Sequence, residues 1–186
     1  LVRSRGLGDV YKRQILMTPK SLLRHPMCIS DTADFTDGSA FHRVLWDDAQ
    51  KGHSGTKLKV DKKIRRVVLC SGKVYYDLLA ERDARAIDDV YLLRLEQIYP
   101  VPGKALTEEL SRFPGADVVW CQEEPKNQGA WSFLEPELEV LLTKIKGTPT
   151  RATYAGRKPS ASPATGLASR HKLEQTALVD AALTIA

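Results

Sequence analysis

The sequence has no long apolar run and few cysteines, and each shortage excludes a class of protein. No stretch approaches the roughly 18 apolar residues of a membrane-spanning helix, so we expect no transmembrane segment. Cys28, Cys70 and Cys121 form no Cys-x-x-Cys pair. Cys70 and Cys121 each end an apolar run, where a free thiol acts as a small buried hydrophobe. This usage is typical of a reducing compartment such as the cytosol.

Histidine is also scarce, and its placement argues against a metal site. His25, His42, His53 and His171 are dispersed, and none lies at metal-ligand spacing from a cysteine or carboxylate. We therefore expect no metal ligands in this chain and no histidine in acid–base catalysis.

The net charge of +5 is modest, but much of the positive charge lies in one place. The cations of this basic run are Lys57, Lys59, Lys62, Lys63, Arg65 and Arg66. Such a run can contact phosphate or nucleic acid. No aromatic residue is interleaved with it, however, and it leads directly into an apolar strand. We interpret it as a solvated approach to that strand and expect no nucleic-acid partner.

Apolar runs alternate with amphipathic segments along a chain whose 186 residues suit one domain with appendages. Strands are predicted at residues 41–46, 66–70, 90–95, 118–121 and 151–154. Helices are predicted at residues 102–113, 135–146 and 169–185, and around the periodic apolar positions Val74, Leu78 and Leu79. Residues 47–61 are polar and contain glycine, which predicts a flexible connection. This alternation favours a three-layer α/β fold, with a mainly parallel sheet and helices on both faces.

The run Cys121-Gln-Glu-Glu-Pro-Lys-Asn-Gln-Gly-Ala-Trp131 is the segment densest in candidate functional groups. It follows an apolar strand and contains two adjacent carboxylates, an amide-rich turn and a glycine. Loops at the carboxyl ends of strands are where α/β proteins meet ligands and partner subunits. We interpret this loop as a contact surface, and a polar turn that only covers the strand end stays open.

Ser71, Gly72 and Lys73 form a second candidate site, at a predicted strand-to-helix turn. Backbone N–H groups at the start of a helix bind anions readily, and Lys73 adds positive charge. The segment lacks the longer glycine-flanked loop of a Walker motif. Anion binding and a simple helix start with Ser71 as the N-cap both stay open.

Arg157 begins a third candidate patch with Lys158, Ser160 and Ser162. An arginine pairs well with a carboxylate such as Glu123 or Glu124. We favour a structural clamp for this patch, and contact with a substrate stays open.

Five motifs, in this order, resemble one enzyme family. They are Leu16-Met-Thr-Pro-Lys-Ser-Leu-Leu-Arg-His25, Cys70-Ser-Gly-Lys-Val-Tyr-Tyr-Asp77, Arg94-Leu-Glu-Gln-Ile-Tyr-Pro100, the run from Trp120 to Trp131, and Tyr154-Ala-Gly-Arg157 with Ser162-Pro-Ala164. Together they resemble the C-terminal domain of the decarboxylating component of the 2-oxoglutarate dehydrogenase complex, which is transketolase-like. The resemblance extends from about Ile15 to the end of the chain.

The resemblance implies the activity of a larger enzyme. That enzyme decarboxylates 2-oxoglutarate on thiamine diphosphate with magnesium and succinylates a lipoyl group, in the tricarboxylic acid cycle. The implied assembly is a homodimer in the bacterial cytoplasm, with dihydrolipoyl succinyltransferase and dihydrolipoyl dehydrogenase as partners.

The cofactor fingerprint is missing from this chain. It requires a Gly-Asp-Gly start and a later pair of asparagines, and Asn127 is the only asparagine present. We therefore expect no cofactor site and no catalytic residues in this chain, and no activity from it alone.

The resemblance also suggests two sets of site residues. The predicted subunit-contact loop comprises Gln122, Glu123, Glu124, Asn127, Gln128, Gly129 and Trp131. The region that binds the activator acetyl-CoA in actinobacterial relatives corresponds here to Gln97, Lys104 and Arg43. Gly103 and Ala105 stand where those relatives carry arginine, so we expect any effector binding to be weak.

The chain is predicted to have three parts. Residues 1–14 do not resemble the family and are interpreted as a non-native leader. Residues 15–64 form an irregular lead-in segment with a linker, and residues 65–186 form the α/β C-terminal domain. The alternative function is a freestanding α/β module that binds a nucleotide through Ser71, Gly72, Lys73 and the basic run.

Overall fold

Five strands form one sheet in the part of the chain that the structure describes. In this computed structural model, which describes residues 15, 18–36 and 38–185, the strands are β1 (Val44–Leu45), β2 (Arg66–Cys70), β3 (Val90–Leu95), β4 (Asp117–Pro125) and β5 (Thr153–Arg157). Their order across the sheet is β1-β3-β2-β4-β5. β1 runs antiparallel to β3, and the other neighbouring strands are parallel. The predicted mainly parallel sheet is confirmed.

Helices cover both faces of the sheet, which confirms the predicted three-layer α/β fold. The α-helices of the described region are α1 (Val74–Ala84), α2 (Gly103–Leu110), α3 (Trp131–Leu142) and α4 (Ala168–Leu183). Because side chains alternate along a strand, Val67 and Leu69 face the core that α2 and α3 cover. Val68 and Cys70 face the opposite side, where α1 and α4 pack against the strands and each other.

The core between the sheet and the helices α2 and α3 is apolar and closed to solvent, and it combines aliphatic with aromatic side chains. Leu69, Leu93, Leu134 and Leu138 are fully buried in it. Burying a leucine side chain contributes about 1.5–3 kcal/mol by removing apolar surface from water. The apolar runs that predicted these elements therefore also hold the layers together.

β4 is longer than the sequence predicted. We expected a strand at residues 118–121 followed by a loop, but β4 continues through Gln122, Glu123 and Glu124 to Pro125. Its pairing with β5 is irregular after Cys121 and resumes at Pro125, opposite Arg157. Hydrophobic periodicity misses this extension because its side chains are polar and find their partners only in the folded chain.

α3 begins at Trp131, earlier than the predicted start at Glu135. The structure starts the helix earlier because the Trp131 N–H donates to Gln122 Oε1 at 3.0 Å. The Trp131 ring also packs against Tyr154, with centroids 5.3 Å apart.

The segment before β2 is more ordered than predicted. Of the strand expected at residues 41–46, only Val44–Leu45 forms, and it joins the edge of the sheet. Residues 47–61 were expected to be a flexible connection, but Asp48–Lys51 form a 3-10 helix. Asp47 is buried against Arg82 of α1. That ion pair attaches the segment to the sheet, which the prediction of flexibility missed.

The chain divides into two units, Leu1–Ser30 and Asp31–Ala186, and the sheet belongs to the second. In the described part of the first unit, Lys20–Arg24 form a 3-10 helix. The predicted non-native leader, residues 1–14, lies outside the described residues. Among the residues that are described, no helix combines the length and apolar character needed to cross a membrane.

Candidate functional site

The carboxyl ends of β2 and β4 meet at a switch point of the sheet. β2 continues into α1 on one face, whereas the neighbouring β4 continues into α3 on the other face. Ligand sites in open α/β sheets lie in the crevice that such a divergence opens. Lys73 follows β2 here, and Glu123 lies near the end of β4. Folding therefore brings together two of the segments that the sequence singled out.

Lys73 is the centre of a polar cluster at the switch point. Its ammonium lies 3.0 Å from Glu123 Oε1 and 2.7 Å from Asp77 Oδ2, and Gln175 of α4 donates to the same Asp77 oxygen at 2.9 Å. Burial lowers the pKa of Lys73, but the hydrogen bonds to the two carboxylates outweigh it and the pKa lies above its ordinary value. The charged ammonium is thus already paired within the chain.

This pairing bears on the predicted anion site at Ser71, Gly72 and Lys73. One ammonium between two carboxylates carries a net charge of about −1 at neutral pH, which does not favour an anion. Gly72 makes the turn with φ +68°. Lys73, rather than Ser71, is the N-cap of α1, and it makes no capping hydrogen bond. The proposed capping role of Ser71 is therefore wrong, and anion binding stays a prediction.

Gln122 holds the end of β4 and the loop to α3 together. Its side chain lies inside the chain, where the residue is 4% exposed. Oε1 accepts from the indole N–H of Trp120 at 2.9 Å and from the backbone N–H of Trp131 at 3.0 Å. Nε2 lies within hydrogen-bond distance of the carbonyl oxygens of Glu124, Pro125 and Gln128. The sequence predicted Gln122 to be part of a subunit-contact surface. In the structure its buried side chain holds the loop together from the inside.

Gly129 is required where the loop passes over Gln122. Its φ is +67°, and an added Cβ would lie 3.0 Å from Gln122 Nε2 and 3.0 Å from Glu124 Cβ. Both the backbone conformation and the close approach favour glycine.

The predicted subunit-contact loop is only partly on the surface. Trp131 is buried, like Gln122. Glu123 has one-quarter of its side chain exposed, and Glu124 is exposed. Asn127 and Gln128 both donate to the Ser160 carbonyl at 3.0 Å, which ties the loop to residues 158–166. The surface available to a partner is therefore formed by Glu123, Glu124 and the turn 126–129.

Arg157 forms a clamp, but with a different partner from the one predicted. We expected Glu123 or Glu124, yet Arg157 lies 3.5 Å from the Glu174 carboxylate of α4. Arg157 Nη2 also donates to Gln175 Oε1 at 3.1 Å and lies 2.9 Å from His171 Nδ1. The prediction failed on the partner because nothing in the local sequence shows that α4 packs beside the end of β5.

The predicted effector residues are brought together only in part. The backbone N–H of Gln97 donates to the Arg43 carbonyl at 3.1 Å, and the Gln97 side chain donates to the Pro100 carbonyl at 2.7 Å. Lys104 lies at the start of α2, with 91% of its side chain exposed and its ammonium 3.9 Å from Glu108. The Gln97 amide is thus engaged within the chain, while Lys104 is available to solvent.

Cys70 and Cys121 occupy paired positions on β2 and β4 and are buried. Burial raises the pKa of Cys70 well above its ordinary value and that of Cys121 to about 12. These thiols remain protonated at neutral pH and act as small hydrophobes. Within the described ranges, no group of three or more histidine, cysteine or acidic residues is arranged to hold a metal ion.

Comparisons with known proteins give consistent results. A sequence model of the family described as 2-oxoglutarate dehydrogenase C-terminal matches residues 29–183. The curated proteins named 2-oxoglutarate dehydrogenase E1 component from Brucella ovis, Brucella canis and Brucella suis are each 58% identical to this chain over 184 residues. The alignment covers 98% of this chain but 18% of each relative. It therefore reaches into residues 1–14, and their non-native origin stays a prediction.

Proposed function

The chain belongs to the 2-oxoglutarate dehydrogenase C-terminal family, and from that membership we propose the activity of the full-length protein. It decarboxylates 2-oxoglutarate on thiamine diphosphate with magnesium and transfers the succinyl unit to a lipoyl group. The 58% identity to proteins named 2-oxoglutarate dehydrogenase E1 component is the observation that carries this proposal. The alternative, a freestanding nucleotide-binding module, has no such support, and the net negative charge around Lys73 does not favour a phosphate.

The carbon chemistry belongs, by this proposal, to a part of the protein outside this segment. The residues present do not fit a thiamine diphosphate site, because the sequence offers a single asparagine and the described residues offer no set of metal ligands. The chain also spans only 18% of the length of its relatives. We assign this segment a role in dimerisation and effector response, within a complex that includes dihydrolipoyl succinyltransferase and dihydrolipoyl dehydrogenase in the bacterial cytoplasm.

The proposed activity is tested with the full-length protein and with this segment alone. The full-length protein should decarboxylate 2-oxoglutarate when thiamine diphosphate and magnesium are supplied, and omission of the cofactor serves as the control. The segment alone should give no turnover above a buffer blank. No turnover by the full-length protein would refute the activity, and turnover by the purified segment would refute its assignment as non-catalytic.

The role in dimerisation gives a first mutational prediction. Replacing Glu123 and Glu124 together by alanine in the full-length protein is expected to weaken the dimer, because both carboxylates reach the surface at the switch point. Sedimentation velocity over a range of concentrations measures the effect. Glu135→Ala with Glu137→Ala, two exposed positions on the adjacent α3, is the control. Unchanged sedimentation and activity for the Glu123/Glu124 variant would identify the loop as a solvated turn.

The effector role gives a second prediction. If acetyl-CoA binds near Gln97, Arg43 and Lys104, Lys104→Glu should abolish activation while leaving unstimulated turnover nearly unchanged, since the Lys104 side chain is 91% exposed. We expect weak activation in the parent protein because Gly103 and Ala105 replace arginines. Titration of turnover with acetyl-CoA measures this, with the exposed Lys144→Glu as the control. Equal activation of parent and Lys104→Glu protein would remove Lys104 from the site.

A further inference from the structure

A cavity of about 660 Å³ lies beyond the carboxyl end of β5. Its walls are the end of β5, the loop of residues 158–166 and the inner side of α4. This volume is within the range of small-molecule pockets, about 300–1,000 Å³. The cavity also opens at the carboxyl end of the sheet, beside the switch point between β2 and β4 at which α/β proteins place their ligands. Its position and size are thus those of a ligand site, separate from the cluster around Lys73.

The charged groups of the cavity are mainly positive. Arg157, Lys158 and Arg170 line it together with a single carboxylate, Glu174. These groups sum to a net charge of about +2 at neutral pH. Glu174 is shared between two of the cations, 2.9 Å from Arg170 and 3.5 Å from Arg157. One carboxylate cannot neutralise the three positive charges that line the cavity. An anion is the ligand that this wall favours.

Arg157 is the buried member of this group. Only 9% of its side chain is exposed, and its Nε lies 3.5 Å from Glu174 Oε2 without a hydrogen bond. Removing a guanidinium from water is costly unless an opposite charge compensates for it. The carboxylate of Glu174, already shared with Arg170, compensates in part. A bound anion would complete the compensation at the back of the cavity.

The rest of the lining combines apolar surface with hydroxyl groups. The apolar residues include Pro125, Pro163, Ala177 and Leu178, and the hydroxyl residues are Ser160, Ser162 and Thr165. A lining of this kind accepts an organic body as well as a charged group, whereas a bare inorganic anion would leave the apolar surface uncovered.

The loop that closes the cavity is held in place by its own hydrogen bonds. Ser160 N–H donates to Asn127 Oδ1 at 2.9 Å, and Asn127 Nδ2 donates back to the Ser160 carbonyl at 3.0 Å. Within the loop, the Ser162 hydroxyl donates to the Ala164 carbonyl at 2.7 Å. Because these bonds fix the wall before a ligand arrives, binding requires little ordering of the loop.

We propose that this cavity binds a small organic anion, with a phosphate or carboxylate directed at Arg157, Lys158 and Arg170 and a compact apolar body against Pro163, Ala177 and Leu178. The site is independent of the decarboxylation chemistry, and it uses none of the residues Gln97, Lys104 and Arg43. It gives the segment a ligand of its own.

The test measures binding of three probes to the full-length protein by isothermal titration calorimetry. Phenyl phosphate and benzoate supply the two anionic groups, and benzyl alcohol supplies the same ring without a charge. We expect at least one anion to bind with a Kd below about 1 mM, an affinity worth about 4 kcal/mol. We expect benzyl alcohol to bind at least about tenfold more weakly, because a hydrogen bond to a charged group is among the stronger protein contacts. The anion with the lower Kd shows whether the cavity prefers a phosphate or a carboxylate.

Variants locate the binding. Lys158→Gln with Arg170→Gln should raise the Kd of the tighter-binding anion about tenfold or more. Lys172→Gln is the control, because Lys172 lies on α4 but outside the cavity lining, and it should leave that Kd unchanged. Arg157 is left intact because it holds β5 to α4. Thermal unfolding checks that each variant is folded, and Lys158→Gln alone, at an exposed loop position, repeats the test if the double variant is not. Unchanged affinity in the cavity variants, equal binding of benzyl alcohol, or no anion binding by the parent protein would each overturn the proposal.

Discussion

Replacing Arg82 by methionine is expected to lower the free energy of unfolding by about 3–5 kcal/mol, because it leaves a buried carboxylate without its counter-charge. The side chains of Arg82 and Asp47 are both fully buried. The pair is bidentate, with Nη1 on Asp47 Oδ2 and Nη2 3.0 Å from Oδ1. Nη2 also donates to the Ser54 hydroxyl at 3.1 Å. Methionine retains much of the length of the side chain, so the change removes mainly charge and hydrogen bonds.

Urea unfolding of parent and variant chains measures the effect. The control is Arg85→Met, on the same helix but one-third exposed and paired at the surface with Glu81 and Asp180; its unfolding midpoint should change little. Adding Asp47→Asn to Arg82→Met should recover part of the loss, because the buried charge disappears while an amide oxygen can still accept from the backbone. Equal midpoints for Arg82→Met and Arg85→Met would contradict the importance of the buried pair.

Replacing Gln122 by leucine is expected to destabilise the fold by about 2–5 kcal/mol. The buried indole N–H of Trp120 and the backbone N–H of Trp131 would lose their shared acceptor, and each unsatisfied buried polar group costs about 1–3 kcal/mol. The carbonyl groups that receive the Gln122 amide would lose a donor as well. Leucine has a similar volume, so the loss reports on hydrogen bonds rather than on a cavity.

Urea unfolding followed by tryptophan fluorescence measures both the stability and the surroundings of Trp120 and Trp131. Gln128→Leu is the matched control, since that amide makes an exposed hydrogen bond to Ser160 and its loss should have a much smaller effect. Gln122→Glu retains an acceptor but no donor, and it should lie between the parent and the leucine variant. A Gln122→Leu protein as stable as the Gln128→Leu protein would show that the loop does not depend on the hydrogen bonds of Gln122.

The parts of the fold that could be predicted are those specified by local hydrophobic pattern. β2 and β3 have the predicted limits because their apolar residues are consecutive and buried on both faces. The helix after Ser71 follows in the same way from Val74, Leu78 and Leu79. The carboxyl end of the sheet was also identified, because the dense polar segment directly follows an apolar strand.

The parts that could not be predicted depend on contacts between distant residues. Asp47 and Arg82 are 35 residues apart, and nothing local indicates that this aspartate is buried. Arg157 was given the wrong partner for the same reason. Gln122 has the composition of a loop residue, and only the positions of two tryptophans make it the centre of a hydrogen-bond network. The cavity beyond β5 combines three separate segments. The sequence indicated the patch of Arg157, Lys158, Ser160 and Ser162, but nothing local shows that Arg170 and Glu174 of α4 complete it.

The ion pair between Asp47 and Arg82 also closes the open edge of the sheet. β1 pairs with β3 only at Leu95 and Arg94. Further along the same edge, Asp47 Oδ2 accepts from the Leu92 N–H at 2.7 Å, and Arg82 Nη1 donates to the Val90 carbonyl at 3.3 Å. Two side chains thus occupy the places that a neighbouring strand would take. An unpaired strand edge is a template for aggregation, so we expect this pair to hinder other chains from pairing with β3.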